Sequence, residues 1–232
     1  MNLSAGVTTP ETHYRSTPSE SDNSERCPCE TDDTERLNVI EPPASWETKR
    51  LALKPATRAE AVAAFDSYTA DPAVSRYMTW RPHKTLAETE EFLRRCEEVW
   101  EKRTAFPWSL WLKADGSFAG ILEARVKDHS VDIGYVLAPR FWRRGLMSEA
   151  VAGLIGWAMA SPEVFRVWAV CDVDNVASAR LLESVGMQFE GMLRRWLIHP
   201  NISDSPRDCL CFAIVKKGAE RVVSAPRRGP TP

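Results

Sequence analysis

The sequence lacks the features that would assign it to a membrane protein or to the common nucleotide-binding classes. No apolar run reaches the roughly 20 residues that a membrane-spanning helix needs, and no signal peptide follows Met1. Neither the G-x-x-x-x-G-K-S/T loop nor the G-x-G-x-x-G turn occurs. We therefore expect no membrane partner, and a phosphate site in this chain must use a different loop.

The cysteines and histidines are not spaced for a zinc site. The six cysteines form two C-x-C pairs and two isolated residues, whereas zinc sites use C-x-x-C pairs or mixed Cys/His sets. Cys209 and Cys211 lie at a period of two in an apolar strand pattern, so we interpret them as reduced, packed thiols. We therefore expect no metal and a cytoplasmic location, since free thiols are typical of that compartment.

Composition predicts one folded domain between two tails. Residues 1–45 are rich in Ser, Thr, Pro and acidic residues and poor in large apolar ones, which predicts a disordered tail. Residues 218–232 are rich in Pro and Arg and predict a flexible C-terminal tail. The hydrophobic fraction of 44% is enough for a core in residues 46–217. The net charge of −2 gives no reason to expect a nucleic-acid partner.

Strand and helix patterns alternate through this central region. Residues 108–113 and 118–127 read as two strands joined by a turn that contains Asp115-Gly116, which is a strong hairpin signal. Helical patterns begin at the capping-box residues Thr57 and Thr85. The order of elements predicts an α/β (α+β) fold, with helices flanking a mixed sheet.

Residues 131–150, VDIGYVLAPRFWRRGLMSEA, read as a strand, a basic loop and the start of a helix near Ser148. The free N–H groups and the dipole of a helix start favour an anion such as phosphate. Gly145 would let the backbone approach a ligand closely, and Arg143 and Arg144 add positive charge. On its own, this pattern also fits a plain strand-to-helix connection.

A second block, residues 174–191 (DNVASARLLESVGMQFEG), makes the pattern more specific. Together, the Gly134-Tyr135 strand, the FWRRGLMSEA loop and this block resemble the GNAT superfamily of N-acetyltransferases, and most closely its RimJ/RimL-type branch. The resemblance covers roughly residues 49–217. It implies a single GNAT-type domain with a mostly antiparallel sheet that is splayed at its central strands. It also implies direct transfer of acetyl from acetyl-CoA to a primary amine, the α-amine of a protein or peptide N-terminus in this branch.

The resemblance also implies which residues hold acetyl-CoA. The pantetheine arm would pair with backbone groups at Val136 and Leu137. Asn175 matches an asparagine that contacts the same arm, although it also fits a plain helix cap. Trp142 departs from the wider family's loop pattern, and so does Met147. The pyrophosphate would lie on the loop and the helix start, at Arg143, Arg144, Gly145, Leu146, Met147 and Ser148.

The catalytic residues are implied less directly. Direct transfer needs no nucleophilic residue, so the lack of a Ser-His-Asp triad is no objection. Leu182 stands where many family members carry a tyrosine acid, and Ser178, on the same helix face, is the substitute donor to the leaving thiol. Glu190 matches a family glutamate, and burial could raise its pKa into the range of a general base. A structural role for Glu190 stays open, and Glu123 and Asp132 are weaker alternatives.

The acceptor is the least determined partner. Residues 194–207 (RRWLIHPNISDSPR) are long and polar and could form one wall of an open groove for a peptide. Two alternatives stay open: an enzyme that acetylates a small-molecule amine such as a polyamine, aminoglycoside or amino acid, and a domain that binds acyl-CoA without catalysis. The sequence is compatible with a monomer or a homodimer.

Overall fold

A computed structural model describes residues 40–216, so most of both predicted tails, residues 1–39 and 217–232, lies outside the described part of the chain. The packed unit begins earlier than expected. Ile40 belongs to the hydrophobic core, and the indole N–H of Trp108 donates to the backbone carbonyls of Pro43 and Ala44 at 3.2 and 3.0 Å. The folded domain therefore begins before the predicted boundary at Trp46. The sequence does not show this, because the contacts join residues that are far apart in it.

One sheet of eight strands forms the centre of the domain. The strands are β1 Trp46–Glu47, β2 Leu51–Pro55, β3 Phe106–Leu112, β4 Phe118–Lys127, β5 Ser130–Leu137, β6 Arg166–Asp172, β7 Gln188–Leu197 and β8 Arg207–Val215. Their order in the sheet is β1-β2-β3-β4-β5-β6-β8-β7. Only β5 and β6 pair in parallel, and all other neighbours are antiparallel. The predicted mixed, mostly antiparallel sheet is thus confirmed, and β3 and β4 form the predicted hairpin.

Helices cover both faces of this sheet. They are α1 Ala61–Ala64, which continues as a π-helical turn over Phe65–Thr69, then α2 Pro72–Ser75, α3 Leu86–Glu101, α4 Leu146–Ala160 and α5 Val176–Ser184. α1 and the π-helical turn pack on β4, and α3 packs on β3, whereas α4 and α5 pack on β5 and β6. Within residues 40–216, no helix combines the length and apolar character needed to cross a membrane.

One face of α4 is apolar and buried. Val151 and Ala158 are each 0% exposed and Leu154 is 1% exposed. Burying a side chain the size of valine or leucine contributes about 1.5 to 3 kcal/mol. This packing fixes the axis of α4 beneath β5 and β6, and so it fixes where the N-terminus of the helix points.

Candidate active site

The site begins where β5 and β6 separate. The two strands pair only at Ser130↔Arg166, Val131↔Val167 and Asp132↔Trp168, although both continue beyond these residues. The predicted splay of the central strands is therefore confirmed. It opens a cleft of about 70 Å³. Its lining comes from β5, β6, the end of β7, α5 and three loops: Tyr77, Met78, Thr79, Ile133, Gly134, Tyr135, Val170, Cys171, Asp172, Asn175, Ser178, Leu197 and His199.

Strand alternation decides which backbone groups of β5 face this cleft. The N–H of Ala138 donates to the carbonyl of Ala119 at 2.8 Å, which directs it toward β4. The carbonyl of Val136 points the same way, since a Cβ added to Gly120 would lie 2.1 Å from its oxygen. Successive residues of a strand direct their hydrogen-bonding groups to opposite edges. The backbone groups of Val136 thus face β4, whereas those of Tyr135 and Leu137 face the cleft.

The loop after β5 is shaped like an anion site. Arg143 and Gly145 adopt left-handed φ values of 60° and 68°, and α4 starts immediately afterwards. Gly145 stands at the N-cap and no side chain of residues 40–216 caps this helix. The N–H groups of the first helical turn have no intrahelical acceptor, and the helix dipole adds positive potential there. The start of α4 can therefore bind a phosphate group.

Long-range hydrogen bonds hold this loop in place. Arg50 donates through Nη1 to the carbonyl of Arg144 at 2.8 Å and through Nε to Glu149 at 2.6 Å. Glu149 also accepts from the backbone N–H of Arg50 at 2.8 Å. The indole N–H of Trp142 donates to the carbonyl of Leu137 at 2.7 Å. Glu149 is therefore a structural residue that ties the first turn of α4 to the neighbouring chain, and Trp142 ties the loop back to β5.

The predicted cofactor residues differ in what they can offer a ligand. Leu146 and Met147 are 1% and 3% exposed, so their side chains belong to the core and only their backbone N–H groups are available. Gly145 is exposed, and a Cβ there would meet only the Nη2 atom of Arg50 at 3.6 Å. Arg143 and Arg144 are exposed as well. Ser148, which lies 3.4 Å from the hydroxyl of Ser184, could donate to an anion. The residues present thus fit an anionic ligand.

Two hydroxyl groups meet at the floor of the cleft. Tyr135 Oη and Ser178 Oγ are 2.8 Å apart and share a hydrogen bond. Burial raises the pKa of Tyr135, so its hydroxyl stays protonated at working pH. Burial likewise raises the pKa of Cys171 to about 11, which keeps this neighbour a thiol. Asn175 accepts from the N–H of Ser178 at 3.2 Å, the geometry of a helix cap.

A buried acid and an imidazole also line the cleft. Asp172 accepts from Arg207 Nε at 2.6 Å and Nη2 at 3.0 Å. Burial favours a higher pKa for Asp172, but the hydrogen bonds from Arg207 outweigh it and lower the pKa. His199 is 3% exposed, and its Nε2 lies 3.6 Å from the Asp172 carboxylate. Burial lowers the pKa of His199, so the imidazole is neutral near pH 7.

Glu190 lies in a different environment from the one expected. Its carboxylate accepts two hydrogen bonds from the guanidinium of Arg166, one from Nη1 at 2.8 Å and one from Nη2. This ion pair lowers the pKa of Glu190, and the residue is exposed on β7, an edge strand of the sheet. The expectation that burial raises its pKa is therefore wrong. Glu190 is also absent from the lining of the cleft.

The weaker carboxylate candidates form a buried ion cluster. Arg125 pairs with Glu123 and, at 2.6 Å, with Asp132 across β4 and β5. Burial raises the pKa of both carboxyls, although Arg125 opposes the rise. Arg125 is the only cation that pairs with Glu123 and Asp132 among the described residues. We therefore interpret the two carboxylates as structural residues that join β4 to β5.

The sequence argument assigned no role to Tyr135 or His199. Tyr135 was visible as half of the Gly-Tyr strand motif, and strand alternation puts it on the same face as Val131 and Ile133. Its partner Ser178, however, is 43 residues away. His199 lies within the polar segment 194–207, and its burial depends on long-range contacts that no local pattern shows.

The chain has clear relatives among known proteins. Residues 50–188 match the family model for the acetyltransferase (GNAT) domain. The uncharacterized N-acetyltransferase YoaA of Bacillus subtilis (strain 168) is 27% identical over 173 residues, which is 73% of this chain and 96% of YoaA.

Solved structures share the fold. The self-immunity acetyltransferase MccE for microcin C7, in complex with acetyl-CoA and AMP, superposes with a TM-score of 0.67 at 20% identity, over 77% of this chain and 99% of MccE. RimL, the α-N-protein acetyltransferase of ribosomal L7/L12, in complex with coenzyme A, gives a TM-score of 0.63 at 19% identity, over 75% of this chain and 97% of RimL. With the family model covering more than half of its length, this chain belongs to the GNAT family of acetyltransferases and is an acetyl-transferring enzyme.

Proposed function

We propose that this enzyme transfers the acetyl group of acetyl-CoA to the α-amine of a protein or peptide N-terminus. The observation that carries the proposal is the chemistry of the cleft, which is lined both by a neutral imidazole, His199, and by the hydrogen-bonded hydroxyl pair of Tyr135 and Ser178. This arrangement suits an amine that is already partly neutral.

Acetyl-CoA, the acetyl donor, would extend from the loop before α4 to the point where β5 and β6 separate. The backbone N–H groups at the start of α4 would take the pyrophosphate, and Arg143 and Arg144 would add charge at its edge. The open edge of β5 at Tyr135 and Leu137 would pair with the pantetheine arm. A backbone N–H of this edge would also stabilise the oxyanion that develops on the thioester carbonyl. Relatives of this fold bind the same compound, as MccE with acetyl-CoA and RimL with coenzyme A illustrate.

The acceptor amine must lose a proton as it attacks. His199 is neutral and lines the cleft, so it can take this proton directly or through a water molecule. Asp172 lies close enough to stabilise the imidazolium that forms. Glu190, the base predicted from sequence, is tied to Arg166 and has a lowered pKa, so we favour His199.

The leaving thiolate must gain a proton as the C–S bond breaks. Ser178 was predicted for this role, and the hydrogen bond to Tyr135 makes the two hydroxyls a connected donor pair. The proton that Ser178 gives up can be replaced from Tyr135, whose raised pKa keeps it protonated in the resting enzyme. The N–C bond forms as the C–S bond breaks, and one proton leaves the amine while another reaches the thiol.

A weak base favours an α-amine over a lysine. The unperturbed pKa of an α-amine is about 7.7 to 8.0, against about 10.4 for lysine, a difference of about 3 to 4 kcal/mol in the cost of deprotonation. Among the described residues that line the cleft, His199 and Asp172 are the titratable bases, and Asp172 is occupied by Arg207. A second candidate acceptor is a small-molecule amine. The cleft of about 70 Å³ holds only the reacting amine end of an acceptor, so its size does not require a peptide beyond that end.

The test is thiol release from acetyl-CoA over a panel of acceptors at matched concentration. The panel holds a peptide with a free N-terminus, the same peptide blocked at its N-terminus but carrying lysine, a polyamine and an aminoglycoside. We expect the free N-terminus to give the highest kcat/KM. A higher kcat/KM for the polyamine or the aminoglycoside would move the assignment to small-molecule amines.

A further inference from the structure

A second cavity lies next to the cleft and shares its walls. It has a volume of about 530 Å³ and is lined by Pro72, Ser75, Arg76, Arg81, Pro200, Asn201 and Ile202. The chain segments that line it also line the cleft, because Tyr77 directly follows Arg76 and His199 directly precedes Pro200. Consecutive Cα atoms are about 3.8 Å apart, so in each of these two segments a residue of the cleft lies within a few ångströms of a residue of the second cavity. The two cavities are therefore neighbours along both of these chain segments.

The cavity has a rigid wall. Asn201 donates through Nδ2 to the backbone carbonyls of Ser75 and Trp80, at 2.6 and 2.7 Å, and so ties the two loops together. Ser75 is 0% exposed and Trp80 is 5% exposed, so both belong to the packed interior. The loops that carry the cavity are thus held in one geometry before a ligand arrives, which lowers the cost of binding.

Two arginines give this cavity its charge. The guanidinium of Arg76 lies 5.3 Å from the centre of the Tyr77 ring and forms no salt bridge within the part of the chain that the structure describes. Arg81 has a loose ion pair with Asp204 at 3.4 Å, and the Asp204 side chain is 94% exposed. An ion pair this exposed is weak, so a ligand carboxylate can replace Asp204 easily. Both arginines can therefore bind an anionic group, since a guanidinium presents paired donors to a carboxylate.

We propose that this cavity is an acceptor subsite in which Arg76 and Arg81 bind a carboxylate of the acceptor, so that the preferred substrate is a peptide with acidic side chains just after its N-terminal residue. The inference rests on the proposed function, because it assumes an α-amine at His199. An extended peptide advances about 3.3 to 3.6 Å per residue. The side chain of the second or third residue would then reach the arginines.

The experiment compares two peptides that differ only in charge. One begins Ser-Asp-Glu and the other Ser-Asn-Gln, with identical remaining residues and an amidated C-terminus, so that only the side-chain carboxylates differ. We expect about three- to tenfold higher kcat/KM for the acidic peptide, the scale of exposed charge-assisted contacts, with the difference mainly in KM. The preference should shrink as the NaCl concentration rises, because salt screens exposed charges.

Arg76→Gln and Arg81→Gln should each reduce the preference, and the double variant should abolish it. The matched control is Arg103→Gln. Arg103 follows the C-terminal end of α3, whereas Arg81 precedes its N-terminal end, and this helix has 16 residues. It is therefore about 24 Å long, which places Arg103 far from the cavity. Thermal melting checks that each variant folds.

Equal kcat/KM for the two peptides in the wild-type enzyme would overturn the inference alone, as would a preference that survives in the double variant. A different failure concerns the proposed function. If neither peptide is acetylated while a small amine is, the acceptor class is wrong and the subsite proposal falls with it.

Discussion

Gly145 offers the sharpest test of the anion site at the start of α4. A side chain at this position would project into open space, with Arg50 Nη2 at 3.6 Å as its nearest neighbour. A substitution therefore causes no clash within the protein, and its effect on binding must come from the ligand. The residue has φ 68°, a conformation that asparagine and aspartate both tolerate better than other residues do. Gly145→Asn and Gly145→Asp thus form a matched pair that differs by one charge.

The expected difference between the two variants can be calculated. A carboxylate about 5 Å from a phosphate oxygen, at the effective dielectric constant of about 20 that applies near a protein surface, is repelled by about 3 kcal/mol. Screening at physiological salt reduces this repulsion. We therefore expect Gly145→Asp to bind coenzyme A about 30- to 150-fold more weakly than Gly145→Asn, the scale of about 2 to 3 kcal/mol.

Isothermal titration calorimetry with coenzyme A measures this difference. The same titration with dephospho-coenzyme A, which keeps the pyrophosphate but lacks the 3′-phosphate, shows which of the two groups the substitution affects. Thermal melting of both variants supplies the control for folding. If the two variants bind coenzyme A equally well, no phosphate lies at the start of α4, and the assignment of Arg143 to Ser148 as the binding loop fails.

The remaining predictions concern the base, the buried ion pair and the domain boundary. His199→Gln should lower kcat by about 10²-fold or more, as loss of a general base does, whereas Glu190→Gln should stay near wild type; the reverse result would restore Glu190 as the base. The pKa of His199 is lowered by burial, so below about pH 6.5 the unfolded chain binds a proton that the folded one does not. Stability should therefore fall as pH drops through this range, and His199→Gln should flatten that part of the profile in chemical denaturation. Arg207→Met removes the guanidinium partner of the fully buried Asp172 carboxylate and should cost about 3 to 5 kcal/mol, or roughly 10 °C in Tm; an unchanged Tm would mean that the pair contributes nothing. A chain starting at residue 40 should melt higher than one starting at residue 45, since only the longer chain keeps Ile40 and the Trp108 hydrogen bonds; equal Tm values would show that this segment adds no stability.

Local chemistry made much of the fold predictable. The Asp115-Gly116 turn sets the β3–β4 hairpin, and Thr85 accepts from the N–H of Glu88 at 3.4 Å as the capping-box pattern predicts. The start of α4 follows from Gly145 and the apolar period after it. Each of these signals acts within a few residues, which is why the sequence alone reveals it.

Contacts between distant segments decided what the sequence could not show. Glu190 is predicted to be a base because it matches a family glutamate whose pKa burial could raise, but its partner Arg166, 24 residues away on β6, lowers its pKa. In the sheet, β8 lies between β6 and β7, so Glu190 is on the outermost strand. This order depends on β8 returning, after the loop that follows β7, to pair with both strands. The burial of His199 against Asp172 depends on the same pairing. Sequence pattern therefore predicts the loop and the start of α4, whereas the meeting of His199 and Asp172 arises from tertiary contacts.

The central claim is acetyl transfer to an α-amine, and one peptide that carries two amines tests it most directly. The peptide has a free N-terminus and one internal lysine, so both acceptors share the same concentration and the same binding energy outside the reacting group. After partial reaction with acetyl-CoA near pH 7.5, tandem mass spectrometry locates the acetyl group in the fragment ions. We expect the acetyl group on the N-terminal residue in nearly all of the product. Acetylation mainly at the lysine would contradict the account.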